Sequence, residues 1–303
     1  MTRLAALLAL PLLVWSVMAQ VDLDLTMDRQ IFLPSEDTEV AVRISNFTGE
    51  PLTLGQEPRW IHFTVEDLRG RVAGKLQDPP DTGEFTLEPA TRGKLRFNIT
   101  PMFNITTPGS YRIFASIRLP TGEEVTSDPH TFEIISGVKL SEPREVGFRN
   151  AEGQLERRKF VLQRASFPNK RVQLYARLTD STESHTIKVI PLGNTVSFDR
   201  PEWLVDRESH FHVLHRTDSA HYFYHVLAPD GSLTFRQLWL ADGTSRVELR
   251  VNEEGEVRVF GAVRRPYPGE LPKPSVAALS TNRVAEVQSP TTNTNEVSAP
   301  KQP

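Results

Sequence analysis

Cysteine is missing from this 303-residue chain. The absence excludes a disulfide framework, a thiol nucleophile, a lipid-modified cysteine and any thiolate metal site. Small exported domains often depend on disulfides, so the domains of this chain must be stabilised by the burial of apolar surface alone. Two domains of about 100 residues or somewhat more are large enough to meet that requirement.

Charge of one sign is not in marked excess either. Lysine and arginine together number 35, aspartate and glutamate 38, and no basic stripe or arm runs along the chain. This balance excludes a non-specific nucleic-acid binder, so we expect no nucleic-acid partner.

Motifs of the common enzyme classes are also lacking. The chain contains no Gly-x-Ser-x-Gly turn, no phosphate-binding loop, no His-Glu-x-x-His helix and no Gly-x-Gly-x-x-Gly segment. A glycosidase would need two carboxylates that the fold brings together, and no spacing in a sequence reveals such a pair. We therefore expect a protein that is not an enzyme and that holds no cofactor.

What the chain does have begins at residue 1, with the three parts of a secretory signal peptide. Arg3 supplies a positive charge, an apolar run extends from Leu4 to Val17, and small side chains precede a cleavage point after Ala19. The run is shorter than the ~20 residues that span a bilayer, so we expect it to be removed. No second run is long and apolar enough to span a membrane. The sequence predicts a secreted or periplasmic protein of a bacterium.

Residues 20–136 read as a series of short β-strands. Apolar and polar residues alternate, so that Val40, Val42 and Ile44 fall on one face of a predicted strand. Proline, glycine and aspartate clusters separate such runs. About seven short strands in a segment of this length is the number expected of an immunoglobulin-like β-sandwich.

One turn in this segment carries a resemblance to a known family. Pro108-Gly109-Ser110-Tyr111 leads directly into an alternating strand. It resembles the start of the penultimate strand in bacterial immunoglobulin-like and macroglobulin-type β-sandwiches. The resemblance covers residues 21–136 and implies that Tyr111 is a corner tyrosine that bonds back to the chain upstream, and that Trp60 is the core tryptophan. It implies a fold and no activity.

A second β-region follows a predicted linker at residues 137–153 and extends over residues 154–265. Its turn signals recur every twelve residues and predict a five-stranded antiparallel meander over residues 210–263, folded into a small sandwich or partial barrel. The region is too short for a propeller. The four turn signals are Asp218-Ser219, Asp230-Gly231, Asp242-Gly243 and Glu254-Gly255.

The last segment, residues 266–303, is rich in proline, serine and threonine and nearly free of aromatic residues. Such a composition buries too little apolar surface to offset the entropy of ordering, so we expect a disordered tail. The complete fold prediction is all-β: an immunoglobulin-like sandwich, a meander-rich β-domain and this tail.

Histidines in the meander are candidates for a binding site. A two-residue turn at Asp218-Ser219 would place His212 opposite His225, with His210 on the same face. Three imidazoles arranged in this way resemble a zinc or copper site. The next hairpin, however, sets Arg236 beside His225, and a guanidinium favours an anion over a cation. A metal site, an anion site and an ordinary polar sheet face all remain open.

Trp203 is a separate candidate for ligand contact, because it lies in a predicted loop between Asp199 and Asp206. We expect an exported, non-catalytic binding or scaffold protein of the bacterial envelope or secreted fraction. Its partner would be another envelope or secreted protein, or a polysaccharide. The alternative is a carrier or sensor of a small anion or metal at His212, His225 and Arg236, and a third possibility is a secreted hydrolase.

Overall fold

The computed structural model describes residues 21–168 and 171–271. The predicted signal peptide and residues 272–303 of the predicted tail lie outside the described residues. The described residues form 22 strands and no helix, so the protein is all-β as the sequence predicts. No segment among them forms a helix that is long and apolar enough to cross a membrane.

The first ten strands form an N-terminal unit with two main sheets. One has the order β1-β3-β7, and the other has the order β2-β10-β8-β5 with β9 added to β8; β4 and β6 form a small separate pair. All pairings are antiparallel except that of β2 with β10. The strands are β1 (Val21–Thr26), β2 (Ile31–Phe32), β3 (Glu39–Asn46), β4 (Leu52–Leu54), β5 (Ile61–Asp67), β6 (Phe85–Leu87), β7 (Arg92–Asn98), β8 (Gly109–Arg118), β9 (Glu124–Thr126) and β10 (His130–Ile134).

A single apolar core fills the space between the two main sheets of the N-terminal unit. Alternate residues of each strand point into it, as in β1, where Val21, Leu23 and Leu25 are buried and the residues between them are exposed. Phe63 of one sheet meets Phe97 of the other edge to face, with ring centres 5.1 Å apart. Burial of each such large side chain contributes about 1.5–3 kcal/mol.

The remaining twelve strands form a second unit with three layers. The first sheet has the order β11-β13-β14-β15 with β12 also paired to β13, the central sheet has the order β16-β17-β18-β19-β22, and β20 and β21 form a hairpin layer. The strands are β11 (Val138–Lys139), β12 (Arg144–Arg149), β13 (Leu155–Ser166), β14 (Val172–Asp180), β15 (Thr186–Asn194), β16 (Glu202–Val205), β17 (Phe211–Arg216), β18 (His221–Leu227), β19 (Leu233–Ala241), β20 (Glu248–Val251), β21 (Val257–Phe260) and β22 (Ala262–Arg265).

The central sheet is covered on both faces. Phe211 and Val213 of β17 face the first sheet, where Phe211 stacks on Phe160 at 4.8 Å between ring centres. Leu214 and Tyr224 face the opposite way and pack against the hairpin layer. One apolar core therefore lies on each side of the central sheet. For this reason β17 is buried along most of its length instead of on alternate residues.

The predicted linker at residues 137–153 is wrong, because this stretch forms β11 and β12. Both strands pair with β13 in antiparallel fashion, and Val146 is buried in the core of the second unit. Glycines and Pro143 give the stretch the composition of a joint, but a strand at the edge of a sheet tolerates such residues.

The predicted five-stranded meander is only partly right. Strands β17, β18 and β19 pair in succession, but β20 and β21 leave the sheet and β22 returns to pair with β19. The departure begins at Asp242, whose carboxylate accepts hydrogen bonds from the backbone N–H groups of Thr244 and Ser245. The chain between the paired residues Ala241 and Ala262 therefore holds a separate hairpin instead of the two-residue turn that the sequence predicts.

The predicted tail begins too early. Residues 266–271 pack on the central sheet, where Tyr267 lies edge to face on Phe223 with ring centres 5.4 Å apart. The backbone N–H of Leu271 donates to the carbonyl of Arg236 at 3.1 Å. Glu270 also accepts a hydrogen bond from Nε of Arg264 at 2.7 Å, so ring packing, a backbone hydrogen bond and an ion pair all hold this short segment.

A small apolar cluster joins the two units. Leu33 of the N-terminal unit packs with Tyr175 and Val189 of the first sheet, and all three are buried. Beside them the buried carboxylate of Glu36 accepts a hydrogen bond from Arg29 at 2.6 Å and one from the backbone N–H of Leu33 at 2.9 Å. The contact gives the two units a shared patch of core.

Candidate functional site

The hairpin that joins β17 and β18 decides where the histidines lie. Thr217 N–H donates to the carbonyl of His221, and Asp218 accepts from the backbone N–H of Ala220. The loop therefore has three residues instead of the predicted two. One added residue shifts the register by one and turns each side chain to the other face.

The predicted pairing of His212 with His225 is consequently wrong. His212 lies opposite Val226, and His225 lies opposite Val213, so the two histidines occupy opposite faces of the central sheet. Neither the three-histidine arrangement nor the row of His212, His225 and Arg236 exists. Within residues 21–168 and 171–271, no group of three or more His, Asp or Glu side chains is arranged so that it could hold a metal ion.

His212 and His210 are held by one carboxylate. Asp206 Oδ2 lies 3.0 Å from Nε2 of His212 and 3.1 Å from Nδ1 of His210. Burial alone would raise the pKa of Asp206, but the hydrogen bonds from the two histidines outweigh it and lower this pKa well below its ordinary value. The hydrogen bond to Asp206 raises the pKa of His210 in turn. This contact fixes the loop before β17 to the sheet.

The other ring nitrogen of His212 contacts a tyrosine. His212 Nδ1 lies 2.6 Å from the hydroxyl of Tyr224, and burial raises the pKa of that hydroxyl. Both side chains are buried between the central sheet and the hairpin layer. The chain of contacts from carboxylate to imidazole to phenol is thus internal at His212 and Tyr224, whereas the side chains of Asp206 and His210 at its outer end are each 17% exposed.

His225 does lie beside Arg236, as the sequence predicts. The loop between β18 and β19 also has one residue more than the sequence predicts. An irregularity in the pairing between Val226 and Leu227 compensates for that residue, so the predicted register between His225 and Arg236 is kept. His225 contacts His215 instead of His212, with the two Nε2 atoms 3.2 Å apart and the rings stacked.

Burial keeps both members of this histidine pair neutral. Burial lowers the pKa of His215 to about 4 and lowers the pKa of His225 well below its ordinary value. Electrostatic repulsion from His215 and Arg236 lowers the pKa of His225 further. Neither ring is open to solvent, so the pair belongs to the core.

Trp203, the last residue predicted to contact a ligand, borders an open cleft. The cleft has a volume of about 920 Å³ and lies where the edges of the first sheet and the central sheet meet. Trp203 is on β16 instead of in a loop, and its side chain also packs against the core between those two sheets. The volume is within the range of about 300–1,000 Å³ that ligand sites occupy.

The lining of the cleft is rich in positive charge. Two carboxylates are present, Asp199 and Glu202, and the second is already engaged: it accepts from Arg246 at 2.8 Å and from the backbone N–H of Leu249 at 2.9 Å. The same lining contains five basic side chains, those of Lys139, Arg144, Arg164, Arg200 and Arg246.

Three of the five basic groups have no acidic partner. Within the described part of the chain, Arg144, Arg164 and Arg200 form no ion pair with a carboxylate. Arg164 donates instead to the carbonyl of Ser197 at 2.7 Å and so holds the loop before β16 against β13. The cleft therefore presents guanidinium groups whose charge is not neutralised by the protein.

Apolar side chains lie at the rims of the same cleft. Val138 on β11 is 58% exposed and Phe198 in the loop before β16 is 79% exposed, whereas Trp203 and Leu204 are half-buried. Exposed large apolar groups near concentrated charge are a feature of interaction sites. This site could not be recognised in the sequence, because the arginines that line it are spread from residue 144 to residue 246 and form no motif.

Comparisons with known proteins add no assignment. No protein-family model matches the chain, and no curated protein matches it. Among solved structures, the sporulation control protein Spo0M of Bacillus subtilis is similar at 10% identity over 55% of this chain and 82% of that chain. The TM-score of 0.29 is too low for this likeness to carry an argument.

Proposed function

We propose that the protein is an exported, non-catalytic binding protein of the bacterial envelope or secreted fraction, and that the cleft holds an anionic part of a macromolecular partner. The observation that carries the proposal is that the guanidinium groups of Arg144, Arg164 and Arg200 line the cleft and form no ion pair with a carboxylate of the described residues. A carboxylate matches a guanidinium in a bidentate geometry, so anionic groups of a partner are the natural complement.

The N-terminal unit is, in this proposal, an immunoglobulin-like scaffold that carries the binding unit. The contacts of two residues support the resemblance. The hydroxyl of Tyr111 donates to the carbonyl of Thr107 at 2.7 Å, four residues upstream, as a corner tyrosine would. Trp60 is buried in the core, lies edge to face on Phe85 and donates from Nε1 to Thr82. The predicted signal peptide supports export.

The role of the arginines can be tested by charge removal. We expect the full-length chain to bind immobilised polyglutamate and polygalacturonate at low salt, and to lose binding as salt screens the charges. The double variant Arg144→Gln/Arg200→Gln should bind at least about tenfold more weakly, which corresponds to about 1.4 kcal/mol.

A matched control removes the same net charge elsewhere. Arg92 and Arg265 are exposed and lie outside the cleft, so Arg92→Gln/Arg265→Gln should bind like the unaltered chain. Equal losses in the two double variants would show that binding follows net charge alone. No binding of either polymer by the unaltered chain would refute the proposal.

A further inference from the structure

Two unpaired strand edges border the cleft. Within the described residues, β11 pairs with β13 alone and β16 pairs with β17 alone, so each ends its sheet. In an antiparallel pair, every second residue of an edge strand points its N–H and C=O groups away from the neighbour. These groups need a partner, which is water in the free protein.

β16 has the features of an edge that accepts a further strand. Its register with β17 is continuous over Glu202–Val205, without a bulge. The strand contains no lysine and no proline, which are the residues that usually protect an edge. Its one charged residue, Glu202, is engaged by Arg246 and by the backbone of Leu249. β11, by contrast, has two residues, of which Lys139 is one.

β16 is also held firmly from both faces of the central sheet. Trp203 and Val205 pack in the core next to the first sheet, and Leu204 packs in the core next to the hairpin layer. The edge is therefore preorganised, and a partner strand would not have to order it.

We propose that the occupant of the cleft is an extended acidic segment of another protein, which adds to the sheet as a strand along β16. This inference rests on the proposed function and names the class of partner. Backbone hydrogen bonds to β16 would supply affinity, and alternate side chains would supply specificity. Carboxylates on the segment would meet Arg144, Arg164 and Arg200, and apolar side chains would meet Val138 and Phe198.

The regular strand edge favours a polypeptide over a polysaccharide. A peptide backbone carries donors and acceptors at the spacing that an edge strand presents, about 3.3 Å per residue, whereas a sugar chain does not. The four residues Glu202–Val205 therefore match four or five residues of an incoming strand, about 13–17 Å long.

The test uses labelled peptides of about eight residues with alternating glutamate and valine, measured against the full-length chain by fluorescence anisotropy. Two N-methylated versions block the backbone N–H groups of the odd or the even residues. An added strand bonds through one of its two edges, so one methylated set should lower affinity at least about tenfold while the other has little effect. Arg144→Gln/Arg200→Gln should weaken binding of the unmethylated peptide to a similar degree.

Hydrogen exchange supplies a second readout. With the peptide bound, the amides of residues 202–205 should gain protection, because half of them would donate to the new strand. Polygalacturonate should give no such gain, since it offers no matching ladder of acceptors. The control variant Arg92→Gln/Arg265→Gln should show the same protection by the peptide as the unaltered chain.

The outcomes separate the two proposals. Binding of polygalacturonate without binding of the peptide would overturn strand addition and leave the anion-binding cleft in place. Peptide binding that is equally insensitive to both methylation patterns would show recognition of charge alone and would also overturn strand addition. If neither polymer nor peptide binds, both proposals fail.

Discussion

At the scale of single residues, the contact between His215 and His225 ties stability to protonation. The two Nε2 atoms are 3.2 Å apart, so one ring must donate a proton and the other must accept it. Such a hydrogen bond needs at least one neutral ring, and burial disfavours the charge on either. Arg236 faces the pair from β19 and adds a further positive charge to their surroundings.

This pair should make the protein less stable in acid. The pKa of both histidines is lower in the folded state than in the unfolded chain, so their contribution is present above about pH 6.5 and is lost as the pH falls toward the folded values. For His215, whose folded pKa is about 4, the loss amounts to about 3 kcal/mol. Urea titrations between pH 7.5 and pH 4 measure it.

The variant His215→Phe/His225→Leu isolates this effect. Its free energy of unfolding should vary less with pH than that of the unaltered chain, whatever its absolute stability. The exposed His185 provides a control, since His185→Gln should leave the dependence unchanged. A pH dependence that is the same in the double variant would rule out the assignment.

Tyr111 is the subject of a second prediction at this scale. Replacement by phenylalanine removes one hydrogen bond to Thr107 and leaves the ring in the core. The free energy of unfolding should fall by about 1 kcal/mol. Tyr222→Phe is the matched control, because the Tyr222 hydroxyl makes no hydrogen bond within the described residues. A loss of equal size in both variants would contradict the role given to Tyr111.

At the scale of the secondary-structure element, the sequence predicts most strands but does not predict the lengths of the turns that set their register. Alternation of residue types predicts most strands, and the local Pro-Gly-Ser-Tyr turn predicts the start of the strand that contains Tyr111. The expectation that Trp60 is the core tryptophan comes from the family resemblance and from no local pattern. The pairing of His212 with His225 could not be predicted, because Asp218 adds one residue to the loop through bonds that no pattern reveals. One residue is enough to reverse the faces of a strand.

The contacts between segments that are far apart in the chain could not be predicted from the sequence either. Residues 137–153 look like a joint, yet they complete a sheet through pairing with β13. The cleft is built from β11, β12, β13, the loop before β16, β16 itself and the hairpin layer, and these segments are spread over more than 100 residues of the chain. Of the predicted site residues, the cleft includes Trp203 alone, and its arginines carry no local signature.

Asp218 itself gives a prediction at the scale of the hairpin. Asp218→Ala removes the acceptor for the backbone N–H groups of Ala220 and His221. We expect the free energy of unfolding to fall by about 1 kcal/mol, since these turn bonds are then lost to water. Ser219→Ala alters the neighbouring side chain and should have little effect. Thermal or urea unfolding of both variants measures the difference, and equal stability of both would contradict the explanation of the register.

At the scale of the whole molecule, the small cluster of Leu33, Tyr175 and Val189 couples the two units. Because each unit loses buried contacts when the other unfolds, we expect calorimetry to show a single transition. Leu33→Ala should separate the transition into two, since truncation of a buried leucine costs about 2–5 kcal/mol and here it falls on the shared patch.

The control for this prediction is a core residue within one unit. Val40→Ala should lower the melting temperature and keep a single transition, because Val40 is buried inside the N-terminal unit and has no part in the shared patch. Two transitions already present in the unaltered chain would show that the patch does not couple the units.

The hairpin layer is inserted between two residues that are paired in the central sheet, and this position determines how the chain can be shortened. The chain leaves the central sheet after Ala241 and returns at Ala262, and these two residues lie directly opposite each other in the β19–β22 pair. A deletion of residues 242–261 could therefore be closed by a short turn without a shift of register. It would uncover Leu214, Tyr224 and Phe235, so a shortened homologue that lacks the hairpin would need polar residues at those three positions to stay soluble.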